Sequence, residues 1–363
     1  MKFLFVSRRY PPFAGGAENQ IARVACALAK RGHRVRVFTG KHDKSLPEAE
    51  EQYGVMILRL PDPKVRFWGT VVFLFHLIWQ MRHRSYYDIV FANMIEETSA
   101  TAIFIGKIFH KKTVFRLSSK KNLAKCVFFS LKKLYRKIVF CADYMIAQTD
   151  ELKEVAVKNG YWANKIIIIP NIIPSSLFFR MPVRNRKILH ILWCGRMHPD
   201  KNPLLFCMIA EILKDKLEFI IDVVGDGTEL QKVKRVAAAK RLEEKINFHG
   251  FQKNTLQFYQ NADIYLLTSD TDAMPNTVLE AMAATLPVVA TNVNGVPVLV
   301  KDGESALLYP AHDAQKGAEA ILKLAEDLSL RTFLGENARK RADELFSEQV
   351  AVRKYEELFS DMS

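Results

Sequence analysis

The sequence predicts an α/β protein of two Rossmann-like, doubly wound parallel-sheet domains facing a cleft. Three observations lead there. The chain has 363 residues, enough for two separate cores at roughly 150 residues per domain. Short apolar runs alternate with longer amphipathic segments along nearly all of it. The alternation breaks near the middle, where Pro170, Pro174 and Pro182 punctuate a stretch containing Ser175 and Ser176.

In order along the chain, the first half offers apolar runs at 3–7, 35–39, 89–92, 113–116 and 144–148. Runs of this length between helical patterns fit the strands of a parallel sheet covered on both faces. The second half repeats the rhythm at 188–194, 219–224, 246–249, 264–268 and 288–291. The expected division is an N-terminal domain over 1–171, a linker over 172–187 and a C-terminal domain over 188–347. A final helical pattern over 348–363 is expected to pack back towards the N-terminal domain.

Composition narrows the function classes. With 49% apolar and 25% charged residues, the chain is neither disordered nor a disulfide-built miniprotein. Cys26, Cys126, Cys141, Cys194 and Cys207 are odd in number and scattered, without the close pairs of a zinc or redox site. They read as thiols of a reducing compartment. The apolar run after Met1 is too short for a secretory leader and meets Arg8 and Arg9, so a cytoplasmic protein is expected. Nothing approaches the roughly 20 apolar residues of a membrane span. The stretch 68–81, apolar nearly all round, reads as a core helix ahead of the alternative, a helix that exposes Phe and Trp side chains beside the basic surface.

Charge is uneven. The whole chain carries +14, but residues 1–180 hold 30 Lys+Arg against 13 Asp+Glu, a net +17, and the remainder is close to neutral. The stretch 120–140, from Lys120 to Phe140, places Lys121, Lys125, Lys132, Lys133 and Lys137 largely opposite Val127, Leu131 and Leu134, with Phe129 amid the cations. An anionic membrane surface and an ordinary helix with a solvated basic face explain this equally well. Nucleic acid is not expected, since no recognised module accompanies the charge.

Residues suited to chemistry fall after strands. Gly15 and Gly16 lie between the first run and a helix, where backbone can approach an anion, although a plain tight turn is an equal reading. Gly195, Arg196 and Lys201 follow the first strand of the second half, and two fixed cations there suit a diphosphate. Gly225 and Gly227 form another close-approach turn or simply cap a strand, and Phe251 is placed to line a base pocket or to sit in the core. Pro275 suits a first helical position, leaving the amides of Asn276, Thr277 and Val278 after Met274 as donors at a helix N-terminus. Asp272 and Glu280 bracket that N-terminus, where carboxylates can accept from sugar hydroxyls. No metal-ligand spacing is present.

Taken in order, Gly15-Gly16, Gly195-Arg196 with Lys201, Gly225-Asp226-Gly227, Pro275-Asn276 with Glu280-Ala281-Met282-Ala283, Pro287-Val288-Val289-Ala290-Thr291 and Asp302-Gly303 resemble the retaining glycosyltransferases of family 4, which have the GT-B fold. The resemblance implies a nucleoside-diphosphate sugar as donor, a hexose or N-acetylhexosamine as the group moved, and a glycan or lipid-linked glycan as acceptor. It implies no metal and no cofactor. Envelope polysaccharide or lipopolysaccharide synthesis at the inner membrane face is the expected setting.

By the same resemblance, Arg196 and Lys201 bind the diphosphate, Glu280 the ribose and Asp272 the transferred sugar, while Gly16 approaches the phosphate from the first domain. The sequence departs from the family pattern in four places. Asp272-Ala273 stands where Glu-Gly is usual, and 113–118 lacks a histidine, leaving Arg116 and Ser118 as candidate sugar or acceptor contacts. Pro170-Asn171-Ile172 replaces Pro-Asn-Gly, and Pro297-Val298 replaces Pro-Glu. A GT-B nucleotide-sugar epimerase and a non-catalytic nucleotide-sugar-binding protein are the alternatives.

Overall fold

The computed structural model describes residues 1–12, 15–118, 132–174, 178 and 186–360. The chain divides into two compact units, one formed by 1–172 with 351–363 and the other by 173–350.

The first unit begins with β1 (Lys2–Val6), α1 (Gly16–Lys30), β2 (Arg34–Lys41), β3 (Ala49–Gln52) and β4 (Val55–Pro61). It continues with α2 (Arg66–Met81), β5 (Ile89–Asn93), α3 (Glu97–Ile108), β6 (Lys112–Leu117), α4 (Lys132–Val139), β7 (Tyr144–Ala147), α5 (Asp150–Lys158) and β8 (Ile166–Ile168). Its eight strands run in the order β3-β4-β2-β1-β5-β6-β7-β8. Strand β1 pairs in parallel with both β2 and β5, so the winding reverses beside it. Among the described residues only β3 is antiparallel, against β4; its sequence Ala-Glu-Glu-Gln suits an exposed edge and carries no apolar run to announce it.

Helix α1 buries Ile21, Val24, Ala25 and Leu28, spaced three and four apart, against one sheet face. On the other face α2 buries Phe73, Leu77 and Met81 beside Ala102 and Ile105 of α3. Here the reading of a core helix holds for one face only, and the alternative of exposed Phe and Trp side chains holds for the other. The opposite face of α2 presents Trp68, Phe75 and Trp79 to solvent, 63%, 64% and 50% exposed. Thr149 caps α5, its Oγ1 accepting from the Leu152 amide at 3.3 Å. Of the basic stretch at 120–140, residues 120–131, Phe129 included, lie outside the described residues, and α4 forms its visible end.

The second unit holds β9 (Leu189–Cys194), α6 (Leu204–Leu213), β10 (Phe219–Val224), α7 (Leu230–Ala239), β11 (Ile246–Gly250), α8 (Leu256–Asn261) and β12 (Ile264–Leu267). After these come α9 (Asn276–Ala283), β13 (Val288–Thr291), α10 (Val296–Leu299), β14 (Leu307–Tyr309), α11 (Ala314–Glu326) and α12 (Leu328–Leu345). The sheet order β11-β10-β9-β12-β13-β14 is parallel throughout. Counted from β9 this is 3-2-1-4-5-6, the order of a dinucleotide-binding sheet. Asp313 and Asp327 cap α11 and α12 by accepting amide hydrogen bonds at 2.9 and 2.8 Å.

The closing helix α13 (Glu348–Ser360) belongs largely to the first unit. It buries Val352, Tyr355, Leu358 and Phe359 in the cluster that also holds α1, each such burial being worth roughly 1.5–3 kcal/mol. The Phe359 ring lies 4.7 Å from that of Phe3 on β1. Glu356 is paired with Arg31 and His33 at 3.2 and 3.3 Å.

Candidate active site

In the second unit β9 and β12 are neighbours whose chains depart in opposite directions, β9 towards β10 and β12 towards β13. The loops leaving their carboxyl ends therefore diverge, and a crevice opens where α/β sheets bind ligands. The two loops, 195–203 and 268–275, are stitched together. Trp193 Nε1 donates to Thr268 Oγ1 at 2.8 Å, and that hydroxyl donates to the Lys201 carbonyl at 2.9 Å. The Asp270 amide donates to the Asp200 carbonyl at 3.0 Å. Asn202, held left-handed at φ 41°, donates from Nδ2 to Asp270 Oδ1 at 2.8 Å.

This stitching brings Lys201 and Asp272 into contact, Nζ against Oδ2, with both side chains mostly buried. Arg196 is exposed at the mouth of the same loop. Burial works to raise the Asp200 carboxyl, but the hydrogen bond from His198 and the charges of Lys201, His198 and Arg196 outweigh it and hold its pKa below the usual carboxylate range. The loop thus gathers Arg196, His198 and Lys201 around Asp200 at the carboxyl end of β9. Among the described residues, no group of three or more His, Cys, Asp or Glu is arranged to hold a metal ion.

Helix α9 starts against this loop without a side-chain cap, and its first intrahelical bond runs from the Leu279 amide to the Pro275 carbonyl at 3.4 Å. Pro275 stands at the cap, one position earlier than the sequence suggested. Met274 and Val278 are core residues, 4% and 0% exposed, so any contact they make with a ligand runs through backbone amides. Glu280 accepts from Tyr259 Oη at 3.0 Å. Burial, with Cys194 and Glu280 close by, pushes the Tyr259 hydroxyl well above its ordinary pKa, so it stays a donor to that carboxylate. Burial likewise pushes the Cys194 thiol up to about 12. Phe251 is 56% exposed beyond β11, which lies two strands from β9.

Three glycines make the loop geometry possible. Gly225 and Gly227 have φ of 142° and 153°, and a β-carbon on either would collide with the carbonyl oxygen of Gly195 or Met197. They serve the packing of the first loop's own backbone. Gly295 has an ordinary φ of −83°, yet its β-carbon would fall on the Ala273 carbonyl, and its amide donates to the Asp272 carbonyl at 3.0 Å. A β-carbon on Gly195 would meet only the Trp193 ring, at 3.5 Å. Tyr259, Tyr265, whose hydroxyl donates to the Cys194 carbonyl at 3.4 Å, Thr268, Asp270 and Gly295 were not singled out from sequence. The aromatics read as core, and only the Asn294-Gly295 turn carried a signal.

In the first unit Gly15 caps α1 and Gly16 begins it, with Glu18 in the first turn. Across the reversal beside β1, Glu96 caps α3. Burial first, then the charges of Glu97 and Glu18, push its carboxyl up to about 7 against the opposing pull of Arg8 and Arg9. Ser118 donates to Asn93 Oδ1 at 3.1 Å at the end of β6. Arg116 corrects an expectation: it is 1% exposed and donates from Nη2 to Asn171, which also accepts from Gln148 at 2.7 Å. Burial lowers its pKa, and Tyr355 of α13 lies beside it. It is buried within the first unit, against Asn171 and Tyr355, and away from solvent.

Comparison with known proteins supplies the family. Residues 14–177 match Glycosyltransferase Family 4 and residues 179–341 match Glycosyl transferases group 1, so adjoining matches span most of the chain. The chain belongs to glycosyltransferase family 4. An exopolysaccharide phosphotransferase of Streptomyces coelicolor is 28% identical to this family 4 member over 224 residues, 61% of the chain and 23% of that protein. The UDP-Gal:α-D-GlcNAc-diphosphoundecaprenol α-1,3-galactosyltransferase of Escherichia coli is 27% identical over 262 residues, 68% of the chain and 66% of that protein. The chain thus spans about a quarter of the first relative and just under two thirds of the second. The crystal structure of Anabaena HepE in complex with UDP-glucose superposes with a TM-score of 0.80 at 20% identity, covering 99% of this chain and 100% of that one. At that identity the likeness speaks for the GT-B fold.

Proposed function

We propose that this protein is a retaining, metal-independent hexosyltransferase that moves a hexose or N-acetylhexosamine from a UDP-sugar to a lipid-linked or cell-envelope glycan. The observation that carries the reading is the contact of Lys201 with Asp272 in the crevice between β9 and β12, beside the N-terminus of α9. Arg196, Lys201 and the first amides of α9 hold the diphosphate as its charge develops. Glu280, steadied by Tyr259, accepts from the ribose hydroxyls, and Asp272 orients the sugar to be moved. The bond from C1 to the phosphate oxygen breaks with its electron pair going to phosphate. The acceptor oxygen bonds to C1 on the same face, and its proton passes to the departing phosphate oxygen.

The choice of uridine is supported by the donor in the name of the Escherichia coli relative and by the ligand of the HepE structure. The lipid-linked acceptor is supported by that relative's diphosphoundecaprenol acceptor. A panel of UDP, GDP, ADP, CDP and dTDP sugars, screened by thermal stabilisation and then by sugar release with chelator present, tests it. A shift specific to UDP-sugars with slow release in chelator is expected. Binding without release, even with acceptor extract, would leave a nucleotide-sugar-binding protein, and no shift with any nucleotide would remove the donor site.

A further inference from the structure

We infer that the outer face of α2 is a membrane-docking surface for bilayers bearing anionic headgroups. The helix is apolar on both sides, and the sheet needs only one of them. Gly69, Thr70, Phe73, Leu77 and Met81 turn inward. At 100° per residue, Phe67, Trp68, Val71, Phe75, Ile78 and Trp79 share the other side, and all six are exposed, by 37% to 64%. They form a stripe about 18 Å long on a helix with no acidic residue. Helix α3, packed alongside, adds Phe104 and Ile108, 53% and 51% exposed.

Charge names the occupant. Where α2 ends, Arg82 lies over the Trp79 ring at 3.4 Å and Arg84 over Phe109 at 4.6 Å. Arg36 lies over Tyr86 at 3.9 Å and Lys111 over Tyr87 at 5.6 Å, while Lys2 Nζ donates to the Ser85 carbonyl at 2.9 Å. Asp88 is the acid among them, receiving the Lys2 amide at 3.2 Å. A stripe with tryptophan towards each end, running into a cluster of cations, matches a membrane interface, where indoles settle at headgroup depth and cations meet anionic lipid. A second copy of the same face would bring like charges together. The surface goes beyond the transferase reading, and its assay needs no donor.

The test is co-sedimentation of the full chain with vesicles of phosphatidylcholine alone or with a quarter phosphatidylglycerol, at low and high salt. The wild type is expected to bind the anionic vesicles and to weaken with salt. Trp68→Ser with Phe75→Ser should lower the partition coefficient at least tenfold, and Arg82→Glu with Arg84→Glu should erase the preference for anionic lipid. Phe333→Ser, which removes a comparably exposed aromatic from the second unit (51% exposed), should change nothing. Melting temperatures report folding, and Ile78→Ser alone replaces the double variant if that one melts early. Unchanged binding in the α2 variants, or no binding by the wild type, overturns the inference. So does a wild-type dimer in sedimentation velocity that the Trp68 and Phe75 changes dissolve.

Discussion

Replacing Gly295 by alanine isolates the placement of the loop that carries Asp272 from every other property of the site. The backbone at Gly295 is ordinary for any residue, φ −83°, so the variant meets no conformational penalty. The added carbon would lie 1.6 Å from the Ala273 carbonyl oxygen, where ordinary contact begins at 3.4 Å, so about 1.8 Å of relative movement is required. Part of that falls on the neighbouring Asp272, whose carbonyl receives the Gly295 amide. Misplacement by about 1 Å can cost ~10²-fold in rate, or about 2.7 kcal/mol of transition-state stabilisation. Overpacking takes about 1–3 kcal/mol of stability besides.

The assay is kcat/KM for sugar release or transfer from a UDP-sugar, with thermal melting in parallel. Gly303→Ala is the control. At φ 70° it is strained, but nothing lies within 4 Å of its β-carbon, so it loses stability without displacing the loop. Gly295→Ala is expected to lose at least ~10²-fold in kcat/KM while Gly303→Ala keeps its rate. A Gly295 variant within about threefold of wild type, folded at the assay temperature, would refute the claim that this loop positions the reacting sugar.

Lys201→Ala should weaken UDP binding by roughly 10- to 150-fold, the worth of a hydrogen bond to a charged group, and calorimetry reads the affinity. An unchanged affinity would count against Lys201 as a diphosphate ligand. Tyr259→Phe removes one hydrogen bond to the Glu280 carboxylate and should cost about 1.5–3 kcal/mol, seen as a melting temperature several degrees lower. Glu96, with its folded pKa raised to about 7, favours the folded state most in acid. That stability fades as pH climbs from the ordinary carboxylic range and is lost above about 7, so the fall in melting temperature across this window should flatten in Glu96→Gln.

The fold class was legible because strand-length apolar runs separated by helical patterns admit few other arrangements. What escaped were charged β3, which has no such run, and β4, β8 and β14, whose apolar runs at 55–58, 166–169 and 306–309 went unread. The loops after β9 and β12 could be marked as chemical from glycine, proline and charge alone. Their joining through Thr268 and Asp270 could not, since it spans nearly seventy residues of sequence. Arg116 misled because a cation at a strand end looks the same in sequence whether it meets a ligand or, as here, Asn171. For α2, composition measures how apolar a helix is, and only the structure tells how much of it the sheet can cover.

The return of α13 to the first unit sets an order on the making of the protein. Strands β1 and β5 leave the ribosome early, yet Phe3 and Phe91 wait for Phe359 and Tyr355, which follow the whole of 173–350. At ordinary translation speeds that interval is roughly 10–40 seconds. Throughout it the nascent first unit exposes one flank of its core, a natural substrate for chaperones. The second unit, unbroken in sequence, can close first, inverting the usual expectation that the N-terminal half of a chain is finished before the rest.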